Sequence, residues 1–179
     1  MRMLGAGGLP LFYDRPDSFE HSGYLDFIRH RDIAWLDGAE DCGVKWLDPL
    51  MHGFPPRDRE YRIITLTRDV TQQYRSAVKF LRALSHMDIR ESREGRRALA
   101  KDNARLASAW ANHGSILPLT FERLIDDPLG TAAELRDFCE LGDERLMAAQ
   151  VVRRGSACLP DLLEMRFPVG LWQPEAAGR

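Results

Sequence analysis

The stretch that most constrains this chain is Ile63-Ile64-Thr65-Leu66-Thr67, followed at once by Arg68-Asp69 and a helical repeat. A short run of apolar and β-branched residues reads as a buried strand of a parallel sheet. Asp69 is placed to cap the helix that begins there. Val70, Tyr74, Ala77, Val78, Leu81 and Leu84 then recur at helical spacing, which predicts one buried face down to about Ser85. Arg68 falls at the carboxyl end of the strand, where open α/β sheets collect ligands. Ser76 follows eight residues later, about two turns into the helix. A guanidinium offers a planar fork of donors that matches a phosphate, and a hydroxyl can add one more contact. Taken alone, the pair reads first as a surface arginine in a salt bridge and a helix-packed serine.

A second stretch, Leu117 to Gly142, repeats the order of strand, loop and helix. Residues 115–121 read as another short buried strand. Asp127-Pro128 is a strong helix start, an acidic cap with proline at the first helical position. Leu135, Phe138 and Cys139 supply an apolar stripe, and Gly142 is expected as the C-terminal stop.

Together the two stretches resemble the sulfotransferase family. Its pattern is a strand ending in Arg, a Ser eight residues on, then Tyr/Phe-Glu-x-Leu-x-x-Asp-Pro before a helix ending Phe-Leu-Gly. Here these elements are Arg68, Ser76, Phe121-Glu122-Arg123-Leu124-Ile125-Asp126-Asp127-Pro128 and Phe138-Cys139-Glu140-Leu141-Gly142. The resemblance covers roughly residues 1–150 and implies a three-layer α/β fold with a mostly parallel sheet. It implies transfer of a sulfuryl group from 3′-phosphoadenosine 5′-phosphosulfate to a hydroxyl or amine of a small-molecule or glycan acceptor. Arg68 and Ser76 would hold the 3′-phosphate, the group that tells this donor from ATP.

Met1 to Ala6 looks like the last turns of a helix that Gly7-Gly8 ends. A fuller member of the family carries, just before such a helix, a strand and a loop of the type Pro-Arg-Ser-Gly-Thr. That loop cradles the 5′-phosphosulfate with backbone N–H groups. The expectation is therefore a chain truncated at its N-terminus, able to grip the 3′ end of the nucleotide but not to catalyse transfer. A non-catalytic nucleotide-binding or interaction remnant, or a relative of P-loop kinases, remains open beside it.

Candidate bases are weaker. His21-Ser22-Gly23-Tyr24-Leu25-Asp26-Phe27 resembles a segment of one bacterial and phage-type branch, which places Asp26 where that branch has a carboxylate. Asp26 reads as well as a solvated aspartate beside two buried aromatics. Residues 43–47 read as a further strand, and Lys45 matches a lysine that the family often has at that strand end. Where the cytosolic branch has a catalytic His, this chain has Leu47; His52, in the following loop, is the nearest histidine. Near the C-terminus, Arg153-Arg154-Gly155 resembles an Arg-Lys-Gly loop that holds the same 3′-phosphate in cytosolic sulfotransferases. Two adjacent arginines are also ordinary near a chain end.

Composition sets outer bounds. The chain has 179 residues, 44% apolar and 29% charged, enough for one domain with a sizeable core. Residues 1–152 are expected as that domain and 153–179 as a loop and tail. The net charge of −2 gives no reason to propose a nucleic-acid or anionic-membrane partner. Cys42, Cys139 and Cys158 have neither metal-ligand spacing nor a disulfide framework, so free thiols in a reducing cytoplasm and no metal are expected. No apolar run approaches the roughly 20 residues of a membrane span. Further helices are expected near 70–85, 92–112, 129–141 and 143–151, the second with a solvated face of i,i+3 ion pairs such as Asp102 with Arg105.

Overall fold

The apolar run forms a strand, Tyr61–Thr67, and pairs in parallel with Gly114–Thr120, Tyr61 opposite Gly114 and Thr67 opposite Thr120. The structure, a computed structural model, describes residues 1–16, 19–85 and 90–152. Along the chain run α1 (Arg2–Ala6), α2 (Ser22–His30), α3 (Pro49–His52), β1 (Tyr61–Thr67), α4 (Val70–Ser85), α5 (Arg93–Trp110), β2 (Gly114–Thr120), α6 (Phe121–Asp126), α7 (Pro128–Cys139) and α8 (Glu144–Ala148). Among the described residues the sheet has these two strands, joined by a crossover through α4 and α5. A parallel pair requires such a crossover because consecutive parallel strands start at the same end. The described residues contain no helix long and apolar enough to cross a membrane.

The core lies where α1, α7 and α8 meet β2. Met3, Leu4, Leu119, Ala132, Leu135 and Met147 are buried together. Each large side chain removed from water there contributes about 1.5–3 kcal/mol. Gly7 allows the close approach of α8, since a Cβ on it would lie 2.7 Å from Met147 Sδ. Asp127 Oδ1 accepts from Gly130 N at 2.9 Å, and Asp143 Oδ1 from Arg145 N at 2.8 Å, so both acidic caps act as their positions predict. Asp69 Oδ1 does the same for Gln72 N at 2.9 Å. A second cluster gathers the aromatics of the N-terminal third. His21 stacks on Phe12 and Trp35, while Tyr24 and Phe27 pack on Trp46.

One core position is mismatched. Thr131 is fully buried in α7, and its Oγ1 has no hydrogen-bond partner among the described residues. A buried hydroxyl without a partner costs about 1–3 kcal/mol. Thr131→Val keeps the shape and removes the polar atom, so it is expected to raise stability by about 1 kcal/mol. Urea unfolding of the two chains checks this, and a lower midpoint for the valine variant would refute it.

Several boundaries differ from the sequence reading. Residues 43–47 do not form a strand: Gly43 alone makes a bridge, to Leu11, and the Leu47 carbonyl accepts from the Tyr24 hydroxyl instead of a neighbouring strand. Burial pushes that phenol up to about 12, with Asp48 and Glu20 raising it further, so it stays a donor. Phe121 opens α6 rather than ending β2, because Thr120 Oγ1 accepts from Arg123 N at 3.1 Å and starts a helix there. The stop of α7 is Glu140, in a left-handed conformation with φ 58°, and not Gly142. Gly142 donates its N–H to the Gly7 carbonyl at 2.8 Å, joining the segment after α7 to the end of α1. The expected apolar face of α4 is only partly covered. Val78 is buried, whereas Ala77 is exposed and Leu81 is 45% exposed. On α5, Arg105 and Asp102 form the expected i,i+3 pair at 3.5 Å.

Candidate functional site

Because β1 and β2 run parallel and in register, their carboxyl ends finish side by side. Thr67 faces Thr120, so the next residues, Arg68 and Phe121, emerge as neighbours. The Arg68 guanidinium lies over the Phe121 ring, 4.9 Å from its centroid, a cation–π contact. Its Nε and Nη2 donate to Gln72 Oε1 at 3.2 and 2.8 Å. Glu122 Oε1 accepts from Asp69 N at 3.2 Å, at the start of α4. The two separated stretches of the sequence thus meet at one point: Phe121 supports the arginine and Glu122 ties the helix that follows it. Thr67 Oγ1 adds a bond to the Leu119 carbonyl at 3.2 Å, locking the strand ends together.

Arg68 differs from the other arginines around it. Arg59 pairs with Asp37, Arg62 with Glu140 and Arg75 with Glu91. Among the described residues no carboxylate pairs with Arg68. A guanidinium has two edges able to donate in pairs. Gln72 occupies the Nε/Nη2 edge, and no acceptor lies on the Nη1/Nη2 edge among the described residues.

Arg68 opens onto a trench of about 3080 Å³ that extends from α1 past β1 and α4 to α5, with Gln72, Ser76, Lys79, Lys45 and the exposed Leu66 among its lining residues. Small-molecule pockets usually measure about 300–1,000 Å³, so this is an open cleft with room for far more than one nucleotide. Ser76 is exposed and lies one turn beyond Gln72. Lys45 faces the same trench, but Glu20 pairs with it at 2.9 Å, so much of its charge is committed.

The other candidates do not join them. Asp26 is exposed on α2, beside the buried Tyr24 and Phe27, and does not line the trench. His52 ends α3, where its carbonyl accepts from Arg31 Nη1, and it too lies off the trench. Arg153, Arg154 and Gly155, like Cys158, are outside the described residues. Cys139 is half-buried, and burial pushes its thiol up against the opposing pull of Arg62, so it is no ready nucleophile. His113 is buried, with Nδ1 3.1 Å from the Ala109 carbonyl and its ring stacked on Phe54, a satisfied core histidine. No three His, Cys, Asp or Glu side chains converge as metal ligands among the described residues.

Comparison with family models, with curated proteins and with solved structures gave no match. The site therefore stands on its own geometry. Two parts of it escaped the sequence reading: Gln72 as the partner of Arg68, and the Phe121 ring as its support. The signal for the first was present, since position 72 is i+4 from Arg68 across the start of a helix. The second depends on strand register, which neither stretch reveals alone.

Proposed function

We propose that this chain is a sulfotransferase-like α/β protein of the three-layer type that binds a 3′-phosphorylated adenosine nucleotide in the trench, with Arg68 and Ser76 on the 3′-phosphate. The observation that carries this reading is the Arg68 guanidinium, held at the carboxyl ends of two parallel strands without a carboxylate partner. A fixed, uncompensated fork of donors at that place suits a phosphate dianion. In the family the chain resembles, the corresponding donor is 3′-phosphoadenosine 5′-phosphosulfate and the acceptor a small molecule or glycan. The geometry supports binding more than turnover. Asp26 and His52, the two candidate bases, lie off the trench that holds Arg68, and a general base must reach the proton it removes.

The test is calorimetry with adenosine 3′,5′-bisphosphate and adenosine 5′-monophosphate. The bisphosphate is expected to bind more tightly, and Arg68→Ala to remove most of that preference, about 1.5–3 kcal/mol for a charge-assisted contact. Equal affinity for the two nucleotides, with or without the substitution, would discard the assignment.

A further inference from the structure

We propose that Gln72 is the positioning residue that makes Arg68 an anion receptor, fixing one edge of the guanidinium without cancelling its charge. The free edge is then left to take a phosphate monoester dianion with two parallel hydrogen bonds. This rests on the nucleotide-binding reading above and names a residue that determines its selectivity.

The geometry leaves the guanidinium little freedom. Gln72 Oε1 takes both Nε and Nη2, and the Phe121 ring covers a face at 4.9 Å. With one edge and one face held, the Nη1/Nη2 edge is oriented before any ligand arrives, which lowers the ordering cost of binding. A carboxylate at position 72 would hold the same edge, one helical turn from Arg68, but as an i,i+4 ion pair. That is the state of the neighbouring arginines, each matched to an acid: Arg59 to Asp37, Arg62 to Glu140 and Arg75 to Glu91. Glutamine has the same length and the same acceptor oxygen, but no charge.

The acids nearest to Arg68 along the chain and across the sheet do not take its place. Asp69 Oδ1 accepts from Gln72 N, and Glu122 Oε1 accepts from Asp69 N. Both carboxylates are engaged with backbone N–H groups at the start of α4, where the helix dipole favours negative charge. Ser76, one turn past Gln72, lines the same trench and can add a hydroxyl to the bound group.

The experiment compares the wild-type chain, Gln72→Glu and Gln72→Met by calorimetry with adenosine 3′,5′-bisphosphate and adenosine 5′-monophosphate, each melted in parallel. Gln72 is exposed, so both variants are expected to melt no earlier than the wild type. Gln72→Glu is expected to weaken the bisphosphate about tenfold or more, the worth of one charge-assisted contact. Its affinity for the monophosphate should change less than twofold. Gln72→Met, which removes the acceptor but keeps the bulk, should give a smaller loss for the bisphosphate alone, and it decides the matter if Gln72→Glu melts early. Bisphosphate affinity within twofold of wild type in both variants would overturn the role of Gln72 while leaving the nucleotide reading intact. So would an equal loss for both nucleotides. A wild-type chain that binds neither nucleotide would overturn both proposals.

Discussion

Replacing Gly114 by valine is expected to lower stability by about 2–6 kcal/mol and to disorganise the site at the far end of the sheet. Gly114 begins β2 opposite Tyr61, and a Cβ built on it would collide with the Tyr61 backbone carbonyl. Its φ of +154° is also a conformation that side-chain-bearing residues rarely adopt. Overpacking costs about 1–3 kcal/mol, and forcing a branched residue into that backbone adds about 1–3 more. The obstacle is backbone, so no side-chain rotation relieves it. If β2 slips by one residue to escape, every side chain on it changes face. Leu119 would leave the core and Phe121 would leave the Arg68 guanidinium. Chemical denaturation measures the first effect, and the loss of the bisphosphate preference measures the second. A Gly114→Val chain with an unchanged midpoint would mean that the two strands do not start as a pair at Tyr61 and Gly114.

Met147→Ala is the second large effect, expected to cost about 2–5 kcal/mol through lost burial and the cavity left behind. Met147 is 0% exposed and packs where α8 meets α1 and α7, close enough to Gly7 that a Cβ there would strike its sulfur. The next residue back, Leu146, is 57% exposed. Leu146→Ala should stay within about 0.5 kcal/mol. The two adjacent truncations therefore test which face of α8 is buried. Similar midpoints for both variants would show that α8 does not dock on α1 as described. Because neither Leu146 nor Met147 lines the trench, neither variant is expected to change the preference for a 3′-phosphate in the folded fraction.

The sequence by itself determined the features that depend on a few consecutive residues. Ile63 to Thr67 had the composition of a buried strand, and Asp69 and Asp127 were legible as caps because a carboxylate near free N–H groups needs no distant partner. The order of a strand, an arginine and a helix was likewise local, which is why Arg68 could be singled out before its surroundings were known.

Only the tertiary structure decided what depends on a partner far along the chain. Residues 43–47 have the composition of a strand, yet a strand exists only where a neighbour takes its hydrogen bonds, and here a tyrosine hydroxyl takes the carbonyl of Leu47. Phe121 reads as the last residue of β2, but the Thr120 cap turns it into the first residue of a helix and lays its ring under Arg68. Asp26 and Lys45 had similar standing as sequence candidates. Packing sends one to solvent on α2 and the other into the trench against Glu20. The difference between Arg68 and the paired arginines around it lies in charge compensation, which Asp37, Glu140 and Glu91 supply to those arginines from 22, 78 and 16 residues away. No local pattern carries that information, because the electrostatics of a site belong to whatever the fold brings within a few ångströms of it.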